Sequence, residues 1–336
     1  DPSSPLTYNI PATNSFVFTA SVIDFHYSAA VLKTRRESTQ WDLFSPVAGD
    51  LWGATIGTVL LAAEGVNGTV CGTAEAVSAL LDRLRLEPGF DALQEKRSWC
   101  DQPCFLRFKV RLKAEIVTMG CQGVDPTEQV GTYVPPEQWN QLIADPTTLV
   151  IDTRNSYEVG VGSFAGAVDP QTESFREFPA WAAEELRPLM QARGANKLAL
   201  FCTGGIRCEK ATAHLLQQGF DQVHHLEGGI LRYLETVPPE QSRWQGECFV
   251  FDRRVALNHQ LEPGEHKLCH ACGLPLTPQQ CELPSYVKGV SCVHCIERFS
   301  DADRERFAQR QQQLERGDIW RLERGDECPS IDEPTV

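Results

Sequence analysis

Apolar and polar positions along this chain follow different rhythms in its successive parts, and each rhythm predicts an element. Residues 16–23 read Phe-Val-Phe-Thr-Ala-Ser-Val-Ile, a strand, and residues 57–63 read as a second, buried one. Residues 74–86 have the spacing of an amphipathic helix, and residues 105–117 alternate as a strand does. Strands separated by a helix, with a hairpin-like middle, fit a small ferredoxin-like α+β domain over residues 15–122. Residues 24–56 have no pattern that assigns them. Residues 63–69, Ala-Glu-Gly-Val-Asn-Gly-Thr, suit a tight turn, because Gly and Asn tolerate positive φ.

Further along, the apolar run 198–201 leads into Cys202-Thr203-Gly204-Gly205-Ile206-Arg207-Cys208-Glu209-Lys210. This is a strand, a glycine-bearing loop headed by a cysteine, and a helix start. After the loop, Cys208, Ala211, Leu215 and Leu216 fall on one helical stripe, and Gly219 is a natural C-terminal cap. Residues 149–154 form a strand ending in Asp152 and Arg154, which hold loops together rather than do chemistry. Residues 223–226 are a short strand, and Gly228-Gly229 turns into another helix. The loop backbone of Thr203, Gly204, Gly205 and Ile206 forms an anion cradle at a helix N-terminus. A cysteine at the mouth of such a cradle is a nucleophile, since its thiolate is stabilised there. A tyrosine-phosphatase-type loop needs arginine six places after the cysteine; here that place is Cys208, and Arg207 comes one earlier. The shorter cradle suits a smaller group on sulfur, such as a persulfide.

Residues 123–237 therefore make a second, α/β unit, and Pro238-Pro239 marks a joint. The remainder, 238–336, is Cys-rich and ends in a charged helix over 301–316 and a tail expected to fray. Residues 1–14 look like an unstructured leader. In the Cys-rich part, Cys269-x2-Cys272 and Cys292-x2-Cys295 have the spacing of a four-thiolate zinc ribbon. An iron–sulfur cluster or two redox dithiols are the alternatives.

Charge changes the picture in one respect. The chain has 31 Lys and Arg against 45 Asp and Glu, a net charge of −14, which taken alone argues against a nucleic-acid partner. Its dense basic row is Arg107, Lys109, Arg111 and Lys113, which alternation puts on one strand face. Four like charges so close repel one another unless a polyanion lies on them; an exposed sheet edge decorated with cations is the plain alternative. The chain has thirteen cysteines, and those that cluster do so as pairs, as in a reducing compartment, so cytoplasm is expected. No segment is apolar enough to span a bilayer.

Taken together, these motifs resemble one rhodanese-containing family, the tRNA uridine-34 hydroxylases that form 5-hydroxyuridine at the wobble position. The resemblance rests on the 63–69 segment, the 107–117 segment, Ser174-Phe175-Arg176-Glu177-Phe178-Pro179, the two-cysteine loop and Gly246-Glu247-Cys248-Phe249-Val250-Phe251-Asp252. It implies a rhodanese fold for 123–237, Cys202 as the essential cysteine, and tRNA as the partner, bound through its anticodon loop. Molecular oxygen is then a co-substrate with an unidentified electron donor, and neither flavin nor haem is expected. Arg207 would stabilise developing negative charge, and Cys208 would supply a reducing equivalent or simply fill the helix stripe. Trp41, Trp52 and Phe105 are candidate stacking surfaces for the base. The competing expectation is a sulfurtransferase carrying a persulfide on Cys202.

Overall fold

The computed structural model describes residues 15–22, 55–62, 64–86, 93, 95–100 and 103–316. The leader, Trp41, Trp52 and residues 317–336 lie outside the described residues.

Five strands form the first sheet: β1 (Ser15–Val22), β2 (Thr55–Ala62), β3 (Gly65–Gly72), β4 (Arg97–Cys100) and β5 (Phe108–Leu112). Their order is β4-β1-β3-β2-β5, antiparallel except for β5, which runs parallel to β2 at the edge. The helix Ala74–Arg85 starts where the Thr73 hydroxyl accepts the Ala76 N–H at 3.3 Å. It buries Val77, Leu80, Leu81 and Leu84 against Val59, Leu61, Val66 and Val70 on one face of the sheet. Phe108 and Val110 join that core.

Two expectations need correcting here. The segment 63–69 is a turn only at its start: Ala62 pairs with Gly65 across the β2–β3 connection, Glu64 lies in the turn, and Gly65 already begins β3. Gly68 serves close strand approach, since a Cβ there would lie 2.7 Å from the Thr58 carbonyl oxygen. The basic strand is also shorter than 105–117, and Glu115–Val117 lies beyond its end, turned toward the second unit.

In the second unit, β6 (Thr132–Val134), β7 (Thr148–Asp152), β9 (Lys197–Phe201) and β10 (Val223–Leu226) form a parallel sheet, order β6-β10-β9-β7. Both faces are covered. Val150, Ala199 and Phe201 pack with Trp139, Ile230 and Tyr233, while Leu149, Ile151, Leu198 and Leu200 pack with Phe178, Ala211 and Leu215. Apolar residues therefore run continuously along β7 and β9, as strands buried on both faces require. The short β8 (Gly162–Phe164) pairs with β11 (Trp244–Gly246), so packing continues past Pro238-Pro239. Trp244, Cys248, Val250, Leu257 and Leu261 all enter the same core.

The last part has two small hairpins, β12 (Cys248–Phe249) with β13 (Ala256–Leu257), and β14 (Lys267–Leu268) with β15 (Pro275–Leu276). The charged helix is Asp301–Glu315, capped by Ser300, whose hydroxyl accepts the Asp303 N–H. Among the described residues, no helix is long and apolar enough to cross a membrane.

Candidate active site

Cys202 follows β9 directly, and the helix Ile206–Gln217 begins four residues later. Between them the chain reverses through Gly205, whose φ of +101° favours glycine. That turn points the Gly205 N–H at the Cys202 sulfur, 3.1 Å away. The loop rests on a second glycine turn. The carbonyls of Cys202 and Thr203 accept the N–H groups of Ile230 and Leu231, at 2.9 and 3.1 Å. A Cβ on Gly229 would sit 2.5 Å from the Cys202 carbonyl oxygen, so only glycine fits beneath the loop.

The sulfur of Cys202 is held for ionisation. Burial alone would push its thiol up; the Cys208 thiol, the Arg207 guanidinium and the N–H groups of Cys208 and Gly205 outweigh burial and bring it from 9.0 to about 5. Cys208 goes the opposite way, well above the ordinary thiol value, because it is buried and faces the Cys202 sulfur. Cys202 is thus the thiolate, and Cys208 is the thiol that donates to it. Cys208 also packs in the apolar core of the helix, 3.5 Å from the Thr153 hydroxyl.

Arg207 does not reach into the cradle with a free guanidinium. Its two terminal nitrogens donate to the two carboxylate oxygens of Glu158, at 2.6 and 2.8 Å, and one also reaches the Thr203 hydroxyl at 3.4 Å. Burial would raise the Glu158 carboxyl, but Arg207 and then Arg154 hold it below its usual value. The guanidinium therefore acts on Cys202 through space, while its own geometry is fixed by Glu158. Asp152 and Arg154 form a fully buried pair at 2.6 Å, with Arg154 also donating to the Gly162 carbonyl at 2.5 Å. They tie β7 to β8.

Side chains of the first unit reach this loop and the helix after it, and no local pattern in the sequence marks these contacts. The Lys96 ammonium donates to the Gly204 carbonyl at 3.0 Å; burial lowers its pKa, opposed by the negative charges of Cys202 and Glu209. Glu64 and Glu115 both bind the Lys210 ammonium, at 3.1 and 2.5 Å, and Glu64 also accepts the Ile116 N–H. Ala62 and Ile116 pack on Ile206, with Leu60 and Val117 alongside. Cys202 consequently lies at the junction of the two units, 1% exposed. Beside it, Glu209 is pushed up to about 7 by burial; Tyr133 donates to one of its oxygens at 2.9 Å, and the other has no hydrogen-bond partner among the described residues.

Of the basic row, Lys109 and Arg111 lie within β5, while Arg107 and Lys113 fall just outside its ends. Lys109 pairs with Thr58 and Arg111 with Leu60 in the parallel register of β2 and β5. Paired residues share a sheet face, so Arg111 is on the face whose Leu60 packs toward Ile206. Arg107 and Lys113 are exposed, and Lys109 and Arg111 are half-buried. Phe105 packs beside buried cysteines.

The four C-terminal cysteines converge. Sulfur separations are 3.9 Å for Cys269–Cys295, 3.7 Å for Cys272–Cys292 and 3.6 Å for Cys292–Cys295. A tetrahedral ion with metal–sulfur bonds of about 2.3 Å requires edges of about 3.8 Å. These four sulfurs could hold a metal ion, and all four ligand positions would be protein.

Comparison with known proteins agrees with this division. Residues 53–116 match the UPF0176 acylphosphatase like domain, and residues 135–236 match the rhodanese-like domain. A protein named tRNA uridine(34) hydroxylase from Synechococcus sp. (strain CC9605) is 62% identical over 272 residues, covering 80% of this chain and 83% of the relative. One of the same name from Prochlorococcus marinus (strain MIT 9313) is 60% identical over 260 residues, 77% of this chain and 84% of the relative. A third, from Prochlorococcus marinus (strain NATL1A), is 53% identical over 259 residues, covering 77% and 81%.

Proposed function

We propose that this chain, which belongs to the tRNA uridine(34) hydroxylase family, carries out the reaction its relatives are named for. The substrate is tRNA, the target is the wobble uridine, and the product is 5-hydroxyuridine. The observation that supports this reading is the Cys202 sulfur, held by the Gly205 N–H in a loop against which the first unit packs through Lys96 and Ala62.

The chemistry follows from what a thiolate can do to a pyrimidine. Cys202 adds to C6 of uridine, which leaves C5 electron-rich. C5 then takes up molecular oxygen and a proton as a hydroperoxide. Two thiols reduce the O–O bond, giving a C5 hydroxyl, water and a disulfide. Loss of the C5 proton and of the Cys202 thiolate restores the ring. While Cys202 is bonded to carbon it is not available for a disulfide, so Cys208 can supply only one of the two thiols and the other comes from outside. Arg207 and the loop N–H groups stabilise the thiolate as it leaves. Glu209, near neutrality in pKa, is a candidate to move the C5 proton.

Arg107, Lys109, Arg111 and Lys113 would hold the phosphates of the anticodon loop, and the cradle would select the base. A wobble uridine is single-stranded, so presenting it costs only a modest unstacking energy. Zn2+ would be held by Cys269, Cys272, Cys292 and Cys295, where it crosslinks two knuckles and takes no part in the reaction. The setting is the cytoplasm, where tRNA and thiol reductants are found together.

Nucleoside mass spectrometry of tRNA incubated with the protein, oxygen and a dithiol tests the reading. Wild type should produce 5-hydroxyuridine, and Cys202→Ala should produce none while keeping its circular dichroism. Full modification by Cys202→Ala would overturn it. Sulfur transfer from thiosulfate to cyanide by wild type, with uridine untouched, would put the sulfurtransferase in its place.

A further inference from the structure

A second group of cysteines lies on the first sheet, far in sequence from the C-terminal knuckles. Cys71 is the next-to-last residue of β3, Cys100 ends β4, and Cys104 follows four residues later. The register brings the first two together. Cys71 is opposite Val17 and Cys100 opposite Ser15, two residues apart on the intervening strand β1, so both project from one sheet face. This is the face opposite the helix Ala74–Arg85, since Val70, the neighbour of Cys71, points into that helix core. Cys104 then folds over the pair.

The three sulfurs all lie within 4.8 Å of one another, and every one is buried. Cys71 and Cys100 are 3.8 Å apart, the edge length expected when two thiolates share a tetrahedral ion with bonds of about 2.3 Å. Cys100 and Cys104 approach to 2.8 Å, longer than the roughly 2.05 Å of a disulfide bond but about 1 Å short of a tetrahedral edge, so binding an ion requires the Cys104 side chain to turn outward by about that much. Thiols are poor hydrogen-bond partners, so three of them converging on one point have little to gain from each other as neutral groups. Ile56 and Phe105 pack against them, and the Arg254 guanidinium lies alongside. That arginine is held by Asp252 at 2.6 Å and donates to the Ser98 hydroxyl at 2.7 Å.

We propose that Cys71, Cys100 and Cys104 form a second metal site, a three-thiolate pocket for a thiophilic d10 cation, with Zn2+ the ion to test. Three soft donors in a buried pocket select such an ion over hard divalent cations. Binding exchanges three thiol protons for one cation and forms three metal–sulfur bonds, with no change of oxidation state. The site would pin β3, β4 and the 101–104 connection together. It would also fix the contact in which the Arg253 N–H donates to the Cys104 carbonyl at 3.0 Å, so it links the first unit to the last. Lys96, which touches the Cys202 loop, lies four residues before Cys100 on this same segment.

Metal content of full-length protein, purified under reducing conditions and made zinc-replete, tests the proposal. Wild type should hold two equivalents per chain. Cys269→Ser with Cys272→Ser should hold one, and so should Cys71→Ala with Cys104→Ala. One equivalent in wild type, none in the first variant, or two in the second would overturn it. A variant that misfolds is bypassed by zinc-edge anomalous diffraction from wild-type crystals. A peak about 2.3 Å from the sulfurs of Cys71, Cys100 and Cys104 is the expected result. A Cys100–Cys104 disulfide, or three separate thiols with no peak, would overturn the assignment.

Discussion

The Cys202 loop and the C-terminal knuckles use the same side chain to opposite ends. At Cys202 a single sulfur is surrounded by donors: the Gly205 and Cys208 N–H groups, the Cys208 thiol and the charge of Arg207. At Cys269, Cys272, Cys292 and Cys295 backbone N–H groups are present too, from Ala271, Cys272, Cys292 and Leu274, but four sulfurs converge on one point, at separations of 3.6–3.9 Å. The first arrangement leaves one electron pair pre-ionised and facing a junction between units. The second leaves no ligand position open. What a cysteine does is therefore set by how many sulfurs share its point in space: one thiolate among donors is a nucleophile, and four together can enclose an ion.

The contrast breaks first at the knuckles. Making Cys269→Ser with Cys272→Ser should melt the region around β14 and β15, because metal held there would contribute folding free energy of about 10 kcal/mol or more. Hydrogen exchange should show lost protection in residues 267–299 and unchanged protection in residues 197–217. Collapse of both regions together would mean that the loop is not independent of the metal.

Glu158→Ala comes next. It strands Arg207 in a buried position, and breaking such a pair costs about 3–5 kcal/mol. Chemical denaturation reads that loss, and activity should fall because Arg207 is no longer fixed beside Cys202. A stability change within error would mean that the pair has no structural weight.

The basic row should give a smaller effect. Lys109→Glu with Arg111→Glu should weaken tRNA binding on the order of ten-fold and reduce the slope of log affinity against log salt by roughly 1.4, the contribution of two phosphate contacts on a single strand. Cyanide sulfurtransfer at Cys202, if any occurs, should hardly change. Unaltered affinity in the reversed protein would reduce the row to an edge-strand decoration.

The effect at Glu209 depends on pH. Its carboxyl is raised from 4.5 to about 7 in the folded protein, so its protonated form contributes stability that is fully present below pH 4.5 and lost as pH rises to about 7. Glu209→Gln keeps an acceptor for the Tyr133 hydroxyl and removes the charge. The variant should therefore melt higher than wild type at pH 8 and alike at pH 4. Equal melting at both values would mean that Glu209 ionises normally.

The reactive centre was legible in the sequence because it is local. A strand, a cysteine, two glycines and a helix start occupy consecutive positions, and each constrains the next. The four knuckle cysteines were legible for the same reason, since each pair carries its own turn. The partners across the junction were not. Lys96 meets Gly204 across 108 residues and Glu64 meets Lys210 across 146, and nothing in the local pattern of either segment marks the contact. Arg207 was readable as a cation near sulfur, but its bidentate grip on Glu158 depends on how Asn155 and Glu158 turn at the end of β7. Residues 65–69 misled because Gly and Asn serve turns and close strand approach equally. Cys71, Cys100 and Cys104 have no paired spacing, and only the register of β1 against β3 and β4 reveals that they share a face.

The central claim is that the folded loop makes Cys202 a thiolate at neutral pH. Ultraviolet thiolate absorbance, titrated for wild type minus Cys202→Ala, measures this without substrate. The difference should titrate with a midpoint of about 5. Stability should follow the same window: a lowered thiol pKa contributes fully above the unfolded value near 9 and is lost as pH falls to about 5, so wild type should gain on the variant between those limits. A difference absorbance with its midpoint at or above 9 would contradict the account.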